Sequence, residues 1–134
     1  MTDPVTTIPV TNIDAVLASF QELWAPRVLA TVNDWAVKVA KVRGEHVWHA
    51  HPETDEVFVV LSGRLTIHRR DPDGEHAVQL GPHDVHVVPR GVEHRPSSPD
   101  GAVLVLVEPA ATLSTGDAVG ELPAHVRSTT GVPV

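Results

Sequence analysis

The sequence predicts an all-β sandwich or barrel with one amphipathic helix ahead of it. Three observations carry this reading. Apolar residues alternate with period two from Thr31 to Glu108. Gly and Pro steps cut that stretch into seven or eight short segments. A single stripe of three- and four-residue spacing is confined to Thr11–Trp24. In chain order, Met1–Val10 is Thr- and Pro-rich and reads as an extended arm. In the helix that follows, Ile13, Val16, Leu17, Phe20 and Trp24 share one face, which makes Phe20 and Trp24 core residues. Thr11 or Asn12 caps it, Asp14 sits in its first turn, and Pro26 follows its end. Trp35, Val37 and Val39 then alternate with Ala36, Lys38 and Ala40, as on a half-buried strand. Further strands are expected at His46–His51, Glu56–Leu61, Arg64–Arg70, His76–Leu80, Asp84–Val88 and Ala102–Glu108. Asp71-Pro72-Asp73-Gly74 supplies hairpin chemistry, and Gly63, Gly81-Pro82, Pro89-Arg90-Gly91 and the Pro96–Gly101 run mark the other breaks. Ala110–Val134 holds no period and reads as a tail over the barrel or partly disordered. The expected organisation is an arm and helix packed on the barrel (1–30), the barrel (31–110) and the tail (111–134).

Composition narrows the chemistry. At 134 residues the chain makes one domain. The longest apolar run, Ala102–Val107, is six residues, far short of a bilayer span, and Met1–Pro4 does not open a signal peptide, so a cytoplasmic protein is expected. With no Cys, disulfides, thiol catalysis and Cys-based metal sites are excluded, and with no Tyr there is no phenolic base. A net charge of −7 with scattered Lys and Arg argues against nucleic acid as a partner. Nine histidines in a Cys-free chain raise the question of metal.

His49 and His51, two apart on an expected strand, put both imidazoles on one face together with Val47, with His46, Trp48 and Ala50 opposite. A turn at Pro52 returns Glu56 beside them. Pro89-Arg90-Gly91-Val92-Glu93-His94 offers a third imidazole just past a tight turn. Three imidazoles and a carboxylate suit one divalent transition metal: Fe, Mn, Co, Ni, Cu or Zn. Spacing alone leaves open whether these side chains share a site or lie separately on the surface.

These residues resemble the two motifs of the cupins. Gly44, His49, His51, Glu56 and Gly63 match the first motif, with four residues between Gly44 and His49 where five are usual. Asp84, Pro89, Gly91 and His94 match the second in register. His83 stands where its Gly is expected, and Ser98 replaces its terminal Asn; neither change touches a ligand position. The resemblance spans Val32–Val107 and is to small single-domain cupins of the conserved-barrel, mannose-6-phosphate-isomerase-like kind. It implies a double-stranded β-helix, or jelly roll, with one metal held by His49, His51, Glu56 and His94 in the barrel mouth. It also implies a metal-dependent enzyme on a small oxygen-rich molecule, a dioxygenase ahead of an isomerase or cyclase, with a non-catalytic binding or sensing module as the alternative. Glu56 is the candidate general base, if its bond to the metal loosens. Val47, Phe58, Val60, Arg64 and His86 are the candidate pocket residues. His68, His76 and His125 read as solvated and His83 as a turn residue. The Val57–Leu61 strand is apolar on both faces, so its outer face needs a cover. That cover is the N-terminal helix or a second subunit, and a homodimer is expected.

Overall fold

A computed structural model describes residues 9–134, so most of the predicted Met1–Val10 arm lies outside the described residues. The architecture is an all-β jelly roll. Its strands run β1 (Arg27–Val32), β2 (Trp35–Glu45), β3 (Glu56–Gly63), β4 (Leu65–Asp71), β5 (Gly74–Leu80), β6 (Val85–Val88), β7 (Glu93–Pro109) and β8 (Val132–Pro133). The long β7 organises the barrel. Its second half pairs antiparallel with β2 and β3, and its first half pairs with β4. It does not break at Pro96–Gly101, as the turn residues predict, but runs through as one strand from its pairing with β4 to its pairing with β3. Pro96 faces Ile67 within the ladder and its carbonyl accepts from His46 N–H at 2.9 Å, so only a donor is lost. At Asp71-Pro72-Asp73-Gly74 the expected hairpin forms, closed by the Asp71–Gly74 pair.

The helix is the main local departure. α1 covers only Ile13–Leu17, with Asn12 Oδ1 accepting from Ala15 N–H at 2.9 Å. Past Leu17 the backbone finds other partners. Ser19 Oγ donates back to the Val16 carbonyl, and Lys41 Nζ donates to the carbonyls of Leu17 and Phe20, both at 2.6 Å. The chain then bridges to β2 through Leu23–Lys41, and Trp24 takes φ 56°. The helical spacing reflected packing, but into two cores. Ile13, Val16, Leu17 and Phe20 cover Leu29 and Val39 outside the barrel, while Trp24 enters the barrel with Phe58, Leu104 and Leu106.

Two strand readings also change. β1 begins at Arg27, so a 30/31 boundary cuts through it; Asn33, at φ 52°, makes its turn into β2. On β2 the inward face is Ala36, Lys38, Ala40 and Val42, not Trp35 and Val37. Lys38 is 1% exposed because its ammonium meets Glu108 Oε2 at 2.7 Å inside the barrel. The tail folds back: β8 pairs parallel with β1, and Thr115 and Val126 are buried. Among the described residues no helix is long and apolar enough to cross a membrane.

Candidate metal centre

His46–His51 is not a strand. Between the Glu45 end of β2 and the start of β3, it makes a single bridge, His49 with His94, closed by N–H···O bonds of 3.0 and 2.8 Å. Without a continuous ladder there is no fixed alternation, so His46, predicted to oppose His49 and His51, is buried with them. β3 places Glu56 at its first residue and β7 places His94 at its second.

The four predicted ligands converge. One ligand atom each from His49, His51, Glu56 and His94 lies within 4.8 Å of all the others, and all four residues are buried. Glu56 Oε1 stands 3.3 Å from His51 Nε2 and 3.4 Å from His94 Nε2. Donors about 2.1 Å from one ion would lie about 3.0 Å apart at right angles and about 3.4 Å apart in a tetrahedron, so these spacings fit a shared cation. Second contacts fix the rings. His49 Nδ1 donates to the Val47 carbonyl at 2.8 Å and His94 Nδ1 to the Val92 carbonyl at 3.0 Å, which leaves both Nε2 lone pairs for the site. His51 Nε2, His94 Nε2 and Glu56 Oε1 are buried with no hydrogen-bond partner. Buried polar atoms are rarely left so, and a metal would satisfy all three at once.

Electrostatics keep the set ready to ligate. Burial, then the neighbouring His94, pulls the His49 pKa down to about 3, so its imidazole is neutral. Burial also lowers His46 to about 4. Glu56 and Glu108 are cross-strand neighbours, one step beyond the Val57–Val107 pair. Burial, and then the Glu56 carboxylate, pushes Glu108 up to about 9 against the pull of Lys38. Burial alone would raise Glu56 too, but its polar neighbours Glu108, His51 and His94 outweigh it and hold Glu56 well below the usual range.

A cavity of about 470 Å³, open solvent at its mouth included, reaches His49 and Glu56; Trp24, Ala40, Val42, Phe58, Leu104 and Leu106 wall it, and His46, Glu108 and Ser114 add polar atoms. Of the five predicted pocket residues, Phe58 lines it. Val60 is buried in the core beneath. Val47 contributes its carbonyl to His49 rather than its side chain to the wall. Arg64 is exposed, and its carbonyl accepts from Ser98 Oγ. His86 pairs with Phe58 across β3 and β6 and so faces inward, but its Nε2 lies 3.3 Å from Arg69 Nη1, outside the cavity lining. His46, Lys38 and Glu108 are the members that sequence reasoning missed. The tail closes on the histidines: Asp117 Oδ1 accepts from Ala50 N–H at 2.7 Å and Asp117 N–H donates to the Ala50 carbonyl at 3.0 Å. A methyl on Gly116 would run into the Ala50 carbonyl and lie 2.9 Å from His49 Cδ2.

Comparison with known proteins agrees with this geometry. The family model of the cupin domain matches residues 37–109. The uncharacterized protein YdbB of Bacillus subtilis (strain 168) is 38% identical over 97 residues, which is 72% of this chain and 83% of that protein. A solved cupin-2 domain containing protein from Shewanella frigidimarina NCIMB 400 is 40% identical with a TM-score of 0.70, over 75% of this chain and 94% of the other. The fold alone is shared with hydroquinone 1,2-dioxygenase from Sphingomonas sp. TTNP3, solved with 4-nitrophenol, at 19% identity and a TM-score of 0.69, over 81% of this chain and 35% of that one.

Proposed function

We propose that this chain, which belongs to the cupin family, is a metal-dependent enzyme acting on a small oxygen-rich organic molecule, with dioxygenation ahead of isomerisation or cyclisation. Its metal is one divalent transition ion (Fe, Mn, Co, Ni, Cu or Zn) held by His49, His51, Glu56 and His94. The observation that carries this reading is the convergence of buried, unpaired Nε2 and Oε1 atoms at the end of an apolar cavity. When bound, such an ion supplies Lewis acidity to a substrate oxygen and, if redox-active, one-electron chemistry.

The protein's own groups do the rest. Val47 and Val92 hold the His49 and His94 tautomers. Trp24, Phe58, Leu104 and Leu106 exclude water around the reacting atoms, which strengthens every electrostatic contact inside. Glu56 is the candidate general base: once its bond to the metal loosens, it can accept a proton from a substrate hydroxyl within about 3 Å. That the same fold serves a hydroquinone dioxygenase supports an oxygenation reading at the level of fold.

We also propose a homodimer. α1 and Phe20 cover Val39 on β2, but Val85 (63% exposed) and Val87 (44%), alongside Val57 and Val59, leave the outer face of β3 and β6 apolar. A second copy covers that face.

The test is metal analysis of untagged protein, then oxygen uptake by iron-loaded protein against small phenols and diketones. Oxygen consumption is expected. None with any bound ligand would remove the dioxygenase and leave the isomerase or cyclase. If Glu56→Gln leaves metal content, ligand binding and rate unchanged, Glu56 neither ligates nor takes a proton; ligand binding with no turnover of any compound would replace the enzyme with a binding or sensing module.

A further inference from the structure

We propose that the buried pair Lys38–Glu108 positions the metal ligand Glu56: Lys38 anchors Glu108, and Glu108 holds the Glu56 carboxyl turned toward His51 and His94. The inference rests on the metal reading above and gives two further residues a part in that site. Strands β2, β7 and β3 lie side by side, and Lys38, Glu108 and Glu56 face inward from them at 1%, 2% and 4% exposure. Lys38 Nζ donates to Glu108 Oε2 at 2.7 Å, and the Glu108 carboxyl meets that of Glu56 within hydrogen-bonding reach. Glu56 Oε1 in turn stands 3.3 Å from His51 Nε2 and 3.4 Å from His94 Nε2. One line of polar contacts therefore crosses three strands and ends on the ligand set.

Stability does not account for the pair. Taking both charges out of water offsets most of their attraction, and apolar residues of similar volume often fold as well or better in place of such a pair. Its neighbours on the same inward face are small or apolar: Ala36, Ala40 and Val42 on β2, and Leu104 and Leu106 on β7. Met and Leu would continue that face.

An apolar pair could fill the space but could not direct a carboxylate. The last torsion of a Glu side chain is broad, so Glu56 needs a polar partner to favour one direction before an ion arrives. Outer partners of metal ligands typically contribute about 10- to 100-fold in metal affinity. Glu108 is such a partner only if it is itself held, and Lys38 holds it. The ammonium also lies 3.5 Å from the Thr112 carbonyl, so it is tied to the start of the tail as well as to β7.

The experiment measures zinc affinity of the full-length protein by competition with a chromophoric chelator. It also records the visible spectrum of the cobalt(II)-loaded protein, whose bands report coordination geometry. The double variant Lys38→Met/Glu108→Leu removes the pair without stranding a charge. It should bind zinc at least about tenfold more weakly than wild type and shift the cobalt bands. Glu108→Gln can still accept from Lys38 and donate to Glu56, so it should stay within about threefold of wild type and keep the spectrum. Lys38→Met/Glu108→Gln keeps the contact but loses the anchor, and should fall at least about fivefold below Glu108→Gln. Thermal melts check that each variant folds, and the comparison of the two Gln variants stands if the apolar variant does not. The proposal is overturned if the apolar variant binds zinc within threefold of wild type with an unchanged spectrum, if Glu108→Gln loses as much as the apolar variant, or if the two Gln variants bind equally. Failure of the wild-type protein to take up zinc or cobalt would sink the metal reading and this proposal with it, whereas wild-type binding with unchanged variants sinks the proposal alone.

Discussion

Acidifying the metal-stripped protein from pH 7 to pH 4.5 should expose the energetic load carried by its buried imidazoles. His46 has its pKa lowered from 6.5 to about 4 and His49 from 6.5 to about 3, in both cases chiefly by burial. Between the folded and unfolded values the unfolded chain binds the proton and the folded one does not. Their contribution to stability is therefore complete above about pH 6.5 and is lost as pH falls toward the folded values. Over this interval each costs about 2 kcal/mol. Glu108 works the other way. Its pKa is raised to about 9, so its contribution is complete below the unfolded value of 4.5 and is lost as pH rises toward 9. On acidification it returns about 3 kcal/mol. The wild-type loss is thus a difference of opposing effects, and the clean observable is the comparison with His46→Phe. Urea unfolding followed by far-UV circular dichroism at both pH values, in chelator, should show that variant losing about 2 kcal/mol less than wild type. Equal pH-dependent losses in the two proteins would refute the burial argument for His46.

Three further outcomes are expected. His51→Ala should abolish stoichiometric metal, read by elemental analysis after desalting; full occupancy would put the site elsewhere. Asp117→Ala leaves the buried Ala50 N–H without its 2.7 Å acceptor. It should lower unfolding free energy by about 1–3 kcal/mol and weaken zinc binding in competition with a chelator, since Ala50 sits between His49 and His51. Light scattering at micromolar concentration should give twice the chain mass of 14.4 kDa, and Val85→Lys with Val87→Lys should return it to the monomer; a wild-type mass of one chain would reject the dimer.

The ligand set could be read from the sequence because each member has a fixed partner in sequence: His49 with His51, Glu56 after a short turn, His94 behind Pro89 and Gly91. The polar floor around it was harder to see. A lysine is rarely buried, yet Lys38 is in phase with Ala36, Ala40 and Val42, and Glu108 is in phase with Ala102, Leu104 and Leu106. A lone cation and a lone anion, each in phase with small or apolar neighbours on separate strands, are the signal that was present. His46 left no such trace, because its direction is set by the irregular backbone between β2 and β3 rather than by strand alternation. The helix was overextended for a related reason. Phe20 and Trp24 keep helical spacing but reach opposite sides of β2, which one continuous helix cannot do.

The tie between Ala50 and Asp117 bears on where this protein can be cut. Residues 37–109 are what the family model spans, yet a fragment trimmed to that stretch would lack Trp24 from the barrel, Phe20 from above Val39, and the 115–118 turn that seats the Ala50 backbone between His49 and His51. It would also strip β1 from the edge of β2 and leave that edge open to other chains. The packed unit is longer at both ends than the stretch the family model spans, so swapping this barrel into another protein requires carrying roughly residues 12 to 133 as one piece.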